Sequence, residues 1–209
     1  GVQRPVAAAD ATRPIVPVAG GFRLIEQDQS SGRSTFDGLY VNARKRFSHR
    51  LAFDVAYTLS RVRNNTDDIN FRPVDSRNPD AELAPSLNDR RHMLAVNGLV
   101  RLPFEVDLAP VLFASSGQPL DITTGRDDNG DTIFNDRPVG VSRNSGRTDG
   151  FVQFDLGASR RVSLGRASVI LRADVFNVFN RTNFSGFFNW GASGVRPDEQ
   201  GVLAFQPTQ

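Results

Sequence analysis

Apolar and polar residues alternate with a period of two along several segments of this chain. The clearest case is the segment 51–62, in which large apolar residues occupy one side and small or polar residues the other: Leu51, Phe53, Val55, Tyr57 and Leu59 against Ala52, Asp54, Ala56, Thr58 and Ser60. A period of two puts successive side chains on opposite faces of a strand, whereas a helix would mix them. The pattern therefore predicts a β-strand with one apolar face.

The same alternation recurs along the chain and predicts about seven strands. They cover residues 22–28, 36–47, 51–62, 91–102, 105–115, 151–160 and 168–180. Most of these segments are longer than the roughly 5–6 residues usual in soluble proteins. They match the roughly 9–11 residues of a tilted strand that crosses a bilayer. The sequence thus predicts an all-β fold, an antiparallel meander of long strands.

Apart from the connection at 29–35, which belongs with the long loops but is short, the connections between these strands alternate in length. Those at 48–50, 102–104 and 161–167 are short, and those at 63–90 and 116–150 are long. Every second connection of an antiparallel meander lies at the same end of the sheet, so short turns should collect at one end and long loops at the other. This asymmetry is typical of outer-membrane barrels. It predicts a partial outer-membrane β-barrel.

Three regions follow from this layout. Residues 1–21 contain three prolines without a clear period and are predicted to form an irregular lead-in. Residues 22–180 form the partial barrel. Residues 181–209 are rich in Gly and Phe and are predicted to be an outer loop that ends before the last strand.

The polar side of the predicted strands carries charged and amide residues. In a barrel this side faces the lumen, and the apolar side faces lipid. The predicted lumen-facing residues are Asn42, Arg44, Asp54, Asn97, Arg101, Asp155, Arg172 and Asp174. Such residues can contact a plug or a permeating solute, or they can form a ladder of ion pairs between neighbouring strands.

Aromatic residues lie near the predicted strand ends. Phe47 and Phe104 fall at the short-turn end, and Phe36, Phe151 and Phe179 fall at the long-loop end. Aromatic girdles at both membrane interfaces are a feature of outer-membrane barrels. We therefore expect these five rings to lie at the two interfaces.

Composition narrows the range of functions. The 209 residues include 25 Lys and Arg against 23 Asp and Glu, and basic residues form no dense cluster, so no nucleic-acid partner is expected. The absence of cysteine excludes disulfides, thiolate zinc sites and thiol nucleophiles. A mean hydropathy of -0.34, with no run of 18 apolar residues, excludes a helical membrane protein.

One acidic run has oxygen ligands at alternate positions, as calcium loops do. The candidate ligands are Asp127, Asn129, Asp131 and Asp136. An EF-hand is excluded because Thr132 stands where a glycine is needed and Pro138 where the final glutamate is needed. A looser calcium site and a simple Asp/Asn/Gly turn both remain open. No other cofactor is indicated.

Catalysis is not expected. The only histidines, His49 and His92, are predicted to lie near opposite ends of the barrel, too far apart to share a metal. The Gly-x-Ser-x-Gly motif of a nucleophile elbow is absent. The sequence therefore gives no set of residues for an enzyme active site.

Several short runs resemble the C-terminal barrel of TonB-dependent outer-membrane receptors, particularly the Oar-like group. They are Tyr57-Thr58-Leu59-Ser60, Asp89-Arg90-Arg91-His92, Ser116-Gly117-Gln118-Pro119-Leu120, Gly125-Arg126-Asp127-Asp128-Asn129-Gly130-Asp131, Asn135-Asp136-Arg137-Pro138 and Phe176-Asn177-Val178-Phe179-Asn180-Arg181-Thr182-Asn183-Phe184. Each run is weak alone, but their order and spacing resemble that family from about residue 22 onward.

The resemblance implies a barrel of about 22 strands in the outer membrane, with a plug and a TonB box. Seven strands cannot close such a barrel, so we expect a fragment truncated at both ends. Its expected partners are outer-membrane lipid, the remaining barrel strands and the plug, with TonB acting only through absent segments. The implied function is uptake or binding of a large solute.

Two other functions fit the same strand pattern. One is a small independent outer-membrane barrel with an adhesive or structural role. The other is a soluble β-sandwich that binds carbohydrate. In a sandwich, the apolar rows would be sealed between two sheets rather than exposed to lipid.

Overall fold

The computed structural model describes residues 27–131 and 133–184, together with Val18 and the short strands at 196–197 and 203–204. The strands are β1 (Ser34–Ser48), β2 (Leu51–Asn64), β3 (Ala84–Pro85), β4 (His92–Leu102), β5 (Val106–Ser115), β6 (Pro119–Leu120), β7 (Gly146–Arg147), β8 (Phe151–Leu164), β9 (Ala167–Val175), β10 (Arg196–Pro197) and β11 (Leu203–Ala204). Two short 3-10 helices cover Pro79–Glu82 and Pro103–Glu105. No helix in the described ranges has the length and hydropathy needed to span a membrane.

Six long strands form one antiparallel sheet in the order β1-β2-β4-β5-β8-β9, and β3 pairs with the end of β2. The predicted all-β antiparallel meander is thus confirmed. The sheet is open, because β1 and β9 each have one edge without a partner strand among the described residues. Most of the strand predicted at 22–28 lies outside the described residues.

The register keeps each face of the sheet uniform from strand to strand. Val55 lies opposite Val96, Val96 opposite Leu112, and Leu112 opposite Phe154. The apolar rows of neighbouring strands therefore merge into one continuous apolar face. We call the opposite side, which carries the charged residues of the strands, the polar face.

This sheet has no buried apolar core. Among the described residues, Ala84 is the only buried hydrophobic residue, while Leu39 and Leu171 on the apolar face are 57% and 59% exposed. The six-stranded sheet forms the wall. The other described strands are only two residues long, so no second sheet covers the apolar face. A β-sandwich requires two sheets packed face to face. The sandwich alternative is therefore wrong.

The two ends of the sheet differ as the sequence predicts. The turns at 49–50, 103–105 and 165–166 are short, and the loops 65–91 and 116–150 lie together at the other end. His49 and Arg50 both adopt positive φ angles, of 50° and 65°. Two central residues with positive φ make a turn whose twist matches that of the flanking antiparallel strands.

Two strand ends differ from the prediction. Strand β8 continues to Leu164 rather than stopping at residue 160, because the hairpin closes later, at Gly165 with a φ of 66°. Strand β9 stops at Val175 rather than residue 180. Beyond it, Asn177 adopts a φ of 49° and its backbone N–H donates to the Asp155 carboxylate at 2.7 Å. A residue with left-handed φ ends the extended strand.

Candidate functional site

The two long loops are joined through a buried arginine. The Arg143 side chain is only 1% exposed, and its guanidinium forms an ion pair with Asp67. It also donates to the carbonyl oxygen of Glu82 at 3.0 Å and to Oδ1 of Asn64 at 2.6 Å. The ring of Phe71 covers the guanidinium, with its centroid 5.1 Å from Cζ of Arg143. One residue of the second loop thus ties together the end of β2 and the first loop.

Arg137 forms a second bridge between the same loops. Its Nη1 donates to the Glu82 carboxylate at 2.9 and 3.1 Å, and its Nε and Nη2 donate to Asp121 at 2.8 and 2.9 Å. The two parallel bonds from the planar guanidinium to the Asp121 carboxylate fix the relative orientation of the two groups and also pair their charges. Burial would lower the pKa of Arg137, but the bonds to Asp121 and the two carboxylate charges raise it. We call the group Asn64, Asp67, Glu82, Asp121, Arg137, Arg143 and Asn144 the loop core.

Asp67 accepts hydrogen bonds from three directions in the loop core. The donors are Nδ2 of Asn64 at 2.9 Å, the backbone N–H of Leu87 at 3.0 Å and Nδ2 of Asn144 at 2.9 Å. Burial alone would raise the pKa of Asp67, but these bonds and the charge of Arg143 outweigh burial, and the pKa lies below its ordinary value. The carboxylate is therefore held in its charged form.

The runs that resemble TonB-dependent receptors converge at this end of the sheet. Asp89 forms an ion pair with Arg147 and accepts the backbone N–H of Val62 at 2.8 Å. Arg90 donates to Oε1 of Gln118 at 3.1 Å. The bond between Arg90 and Gln118 joins two of these runs, 28 residues apart, and the pair of Asp89 with Arg147 links one of them to the second loop. Their residue types therefore serve to fasten the loops to the sheet.

The acidic run at 127–136 is folded as a turn. The Asp136 carboxylate accepts the backbone N–H groups of Asp128 at 2.7 Å and Asn129 at 3.2 Å, and the Asp127 carboxylate accepts that of Asp131 at 2.9 Å. Burial raises the pKa of Asp136 despite the two backbone bonds, and the nearby charges of Asp131 and Asp128 add to this. Within the described ranges, no group of three or more His, Cys, Asp or Glu is arranged to hold a metal. Calcium binding by Asp127, Asn129, Asp131 and Asp136 stays a prediction.

The eight candidate residues of the strands all lie on the polar face. Asp54 of β2 pairs with Arg44 of β1 and accepts a bond from Asn42 at 3.0 Å. Asn97 lies opposite Asp54 in the register.

Other charges on this face are paired in the same way. Arg101 bonds Asp107 across β4 and β5 at 2.7 Å, and Arg172 bonds Asp174 within β9 at 2.8 Å. Asp155 accepts bonds from Nε2 of Gln153 at 2.9 and 3.0 Å. The ladder of polar contacts is therefore present, and contact with a solute or a plug stays a prediction.

A cleft of about 480 Å³ lies where the polar face meets the loops. Its apolar lining is Met93, Val111, Phe113, Phe151 and Phe184, and its charged lining is Arg90, Asp149 and Asp155. The rings of Phe113 and Phe151 meet edge to face, with centroids 5.7 Å apart. Phe151 was expected at the lipid interface, but its register opposite Ser115 puts it on the polar face. An aromatic cleft beside charged groups can hold an amphiphilic solute.

The two histidines lie at opposite ends of the sheet, as expected. His49 is in the first short turn, and His92 begins β4 at the loop end. The hydroxyl of Tyr57 and Nδ1 of His92 lie 2.8 Å apart, and the two rings stack with centroids 6.2 Å apart. Both residues lie on the apolar face, so His92 belongs to the outer surface of the wall.

Comparison with known proteins agrees with this geometry. The sequence model of one family, described as an outer membrane beta barrel domain, matches residues 2–142 and 139–193. The chain belongs to that family. An outer membrane beta barrel domain lies in the outer membrane, and its apolar outer surface is in contact with lipid. No curated protein matches the chain.

Sequence patterns did not reveal the loop core or the aromatic cleft of this outer membrane beta barrel domain. Arg143 and Asp67 are 76 residues apart, and nothing in the local pattern of either loop pairs them. The cleft depends on Phe113, Phe151 and Phe184, which lie on two strands and the segment after β9. The sequence does contain a signal for the cleft. The period-two alternation of apolar and polar residues places Phe113 and Phe151 on the same side of their strands as the polar residues.

Proposed function

We propose that this chain forms wall strands and outer loops of a TonB-dependent receptor, and that it takes part in uptake or binding of a large solute. The remaining barrel strands and a plug pair with its two open edges and its polar face. TonB acts through other segments of the receptor. Outer-membrane lipid covers the apolar face. The Oar-like group is the subgroup that the sequence runs favour.

The main support for this proposal is the aromatic cleft. The aromatic cleft opens on the polar face at the loop end of the sheet, where Arg90 and Asp149 of the two long loops line it, so a solute held there would meet Phe113, Phe151 and these charged groups. Sites of this kind, apolar with a few polar groups, are the usual form of binding sites for organic solutes. The ordered sequence runs support the receptor over a small closed barrel, as do the edges of β1 and β9, which pair with no strand of the described residues.

A crosslinking experiment tests the proposal. A photoactivatable crosslinker is attached to a single cysteine at Ala109, which lies on the polar face opposite Gly157, in the protein carried by intact outer membranes. The receptor assignment predicts crosslinks to a plug segment of the same polypeptide, mapped by mass spectrometry. A matched cysteine at Leu108, on the apolar face, should give lipid adducts instead.

Two outcomes contradict the receptor assignment. Crosslinks from residue 109 to wall strands alone would indicate a small barrel with an empty or self-filled lumen. Lipid adducts from both positions would show that the two faces are not separated. Loss of solute accumulation in a strain that lacks TonB then tests the energy coupling, since a passive barrel would not be affected.

A further inference from the structure

The floor of the aromatic cleft consists of polar-face residues from three neighbouring strands. Met93 of β4 lies opposite Ser115 of β5, and Ser115 lies opposite Phe151 of β8. Two residues further from the loops, Phe113 lies opposite Gln153. The register therefore puts both rings on one surface, at the loop end of the sheet.

The sides of the cleft come from three segments outside the long strands. Arg90 belongs to the first long loop, Asp149 to the second, and Phe184 to the segment after β9. This last segment is fastened to β8 next to Phe184: Oδ1 of Asn183 accepts the backbone N–H of Val152 at 3.0 Å, and Nδ2 of Asn183 donates to its carbonyl oxygen at 2.9 Å. The cleft is thus built by parts of the chain that lie far apart in sequence.

The charged groups of the cleft are net negative. They are the carboxylates of Asp149 and Asp155 against the guanidinium of Arg90. Arg90 already donates to the carbonyl oxygen of Ser116 at 3.4 Å and to Oε1 of Gln118 at 3.1 Å. The long loops add to the negative charge, because acidic residues outnumber arginines in both of them. A cation is therefore attracted to this end of the sheet.

Neither carboxylate of the cleft forms an ion pair within the described ranges. Asp155 accepts bonds from neutral donors, which are Nε2 of Gln153 at 2.9 and 3.0 Å and the backbone N–H of Asn177 at 2.7 Å. Asp149 is exposed, and in the described part of the chain only its backbone oxygen accepts a hydrogen bond. Both carboxylates are thus available to a cationic group.

The aromatic lining favours the same kind of group. Phe113 and Phe184 are 37% and 60% exposed, so their rings are accessible to a solute. The face of an aromatic ring attracts a cation, and its apolar surface packs against an apolar body. A negatively charged solute would instead meet two carboxylates of like charge, which costs binding energy.

We propose that the aromatic cleft binds solutes that carry an ammonium group on an aromatic or other apolar body. Asp149 pairs with the ammonium group, and Asp155 adds a second negative charge. Phe113 and Phe151 pack against the apolar body. This inference rests on the proposed function, because it names the class of solute that the same cleft takes.

Three probes with one phenylethyl body and different charge test this preference: 2-phenylethylammonium, 2-phenylethanol and 3-phenylpropanoate. Their affinities for the full chain, purified in a nonionic detergent, are measured by isothermal titration calorimetry. We expect the ammonium probe to bind about tenfold more tightly than the alcohol, because a bond to a charged group is stronger than one between neutral groups. The carboxylate probe should bind more weakly than the alcohol.

Two variants locate the charge that is recognised. Asp149→Asn removes one carboxylate from the cleft, so the preference for the ammonium probe should largely disappear while the affinity for the alcohol stays the same. Asp75→Asn makes the same charge change in the first long loop, outside the cleft lining, and should keep the preference.

The inference is overturned by equal binding of the ammonium and alcohol probes, by tighter binding of the carboxylate probe, or by no binding of any of the three. A preference that survives in Asp149→Asn, or that Asp75→Asn loses to the same extent, also overturns it. The order of the three affinities in the wild type decides by itself when a variant fails to fold.

Failure of this inference can be distinguished from failure of the receptor assignment. Solute accumulation that depends on TonB, without a preference for the ammonium probe, would contradict only the class of solute. A preference for the ammonium probe without any effect of TonB on accumulation would contradict only the receptor assignment.

Discussion

At the scale of single residues, most buried side chains in the described part of this protein are polar or charged. Asn64, Asp89 and Arg143 are each less than a tenth exposed, whereas Leu39 and Leu171 are more than half exposed. In water such a distribution would be unfavourable, because apolar burial is the main force that stabilises soluble folds. In a lipid bilayer the apolar residues already have an apolar environment. Polar contacts between the two long loops then determine the conformation of the loop end of the sheet.

The substitution Arg143→Met should release the loops. It leaves Asp67 without its ionic partner and removes the donor to the Glu82 carbonyl, inside a site that excludes water. Breaking a buried pair by removing one partner costs about 3–5 kcal/mol. Limited proteolysis should therefore cleave loop 116–150 much faster, while the strands stay protected. Arg77→Met, which breaks an exposed pair with Asp75, is the matched control and should change little.

Acidification should affect the loop core through two carboxyl groups with opposite shifts. The pKa of Asp67 is lowered, so its stabilising effect is present above the ordinary value of 3.8 and is lost as the pH falls below it. The pKa of Asp136 is raised, so the cost of its charge declines as the pH falls toward 3.8. Hydrogen exchange in the loops, corrected for intrinsic rates, should slow slightly and then speed up below that value.

The variant Asp67→Asn separates these two contributions. It removes the group whose protonation destabilises the loop core, so the increase in hydrogen exchange below pH 3.8 should be much reduced. At neutral pH, hydrogen exchange in the loops should be faster than in the wild type, because Arg143 loses its ionic partner. An unchanged acid transition in Asp67→Asn would assign the effect to other carboxyl groups.

At the scale of elements, the strands were predictable and the loops were not. A period of two located all six long strands of the wall, because each strand presents one face to lipid and one to a polar surface. Strand ends were less certain. The interval 161–167 is predicted as a turn, but Arg161 belongs to β8 and lies on the face opposite that of Arg160. The contacts of Arg137 and Arg143 depend on residues of another loop, which no local pattern encodes.

The central strand β4 provides a test of the two faces with neighbouring residues. Val96→Arg inserts a charge in the apolar face near the middle of the strand, and Asn97→Arg inserts the same charge in the polar face. On the lipid side of a barrel, arginine costs about 2–4 kcal/mol near the bilayer centre. Urea unfolding in phospholipid vesicles should show that loss for Val96→Arg and a much smaller one for Asn97→Arg. Equal losses would contradict the assignment of faces.

At the scale of the whole molecule, the wall is a single layer with lipid on one side and a polar space on the other. Its strands pair in one register across β1, β2, β4, β5, β8 and β9, so a slip of one residue anywhere would mix the two faces. The loop end of the wall is acidic, with six acidic residues and four arginines in each of the segments 65–91 and 116–150. The family assignment and the exposed apolar face agree on the single-layer arrangement.

The chain contains no cysteine, so single cysteines can carry a spin label without interference. Labels at Val55 and Ala56, neighbours in β2 on opposite faces, test the central claim in the protein inserted in bilayers. The account predicts that the label at 55 is relaxed mainly by oxygen, which concentrates in lipid, and the label at 56 mainly by a water-soluble nickel chelate. A label at 55 that is shielded from oxygen, or that is reached by nickel as readily as the label at 56, would contradict it.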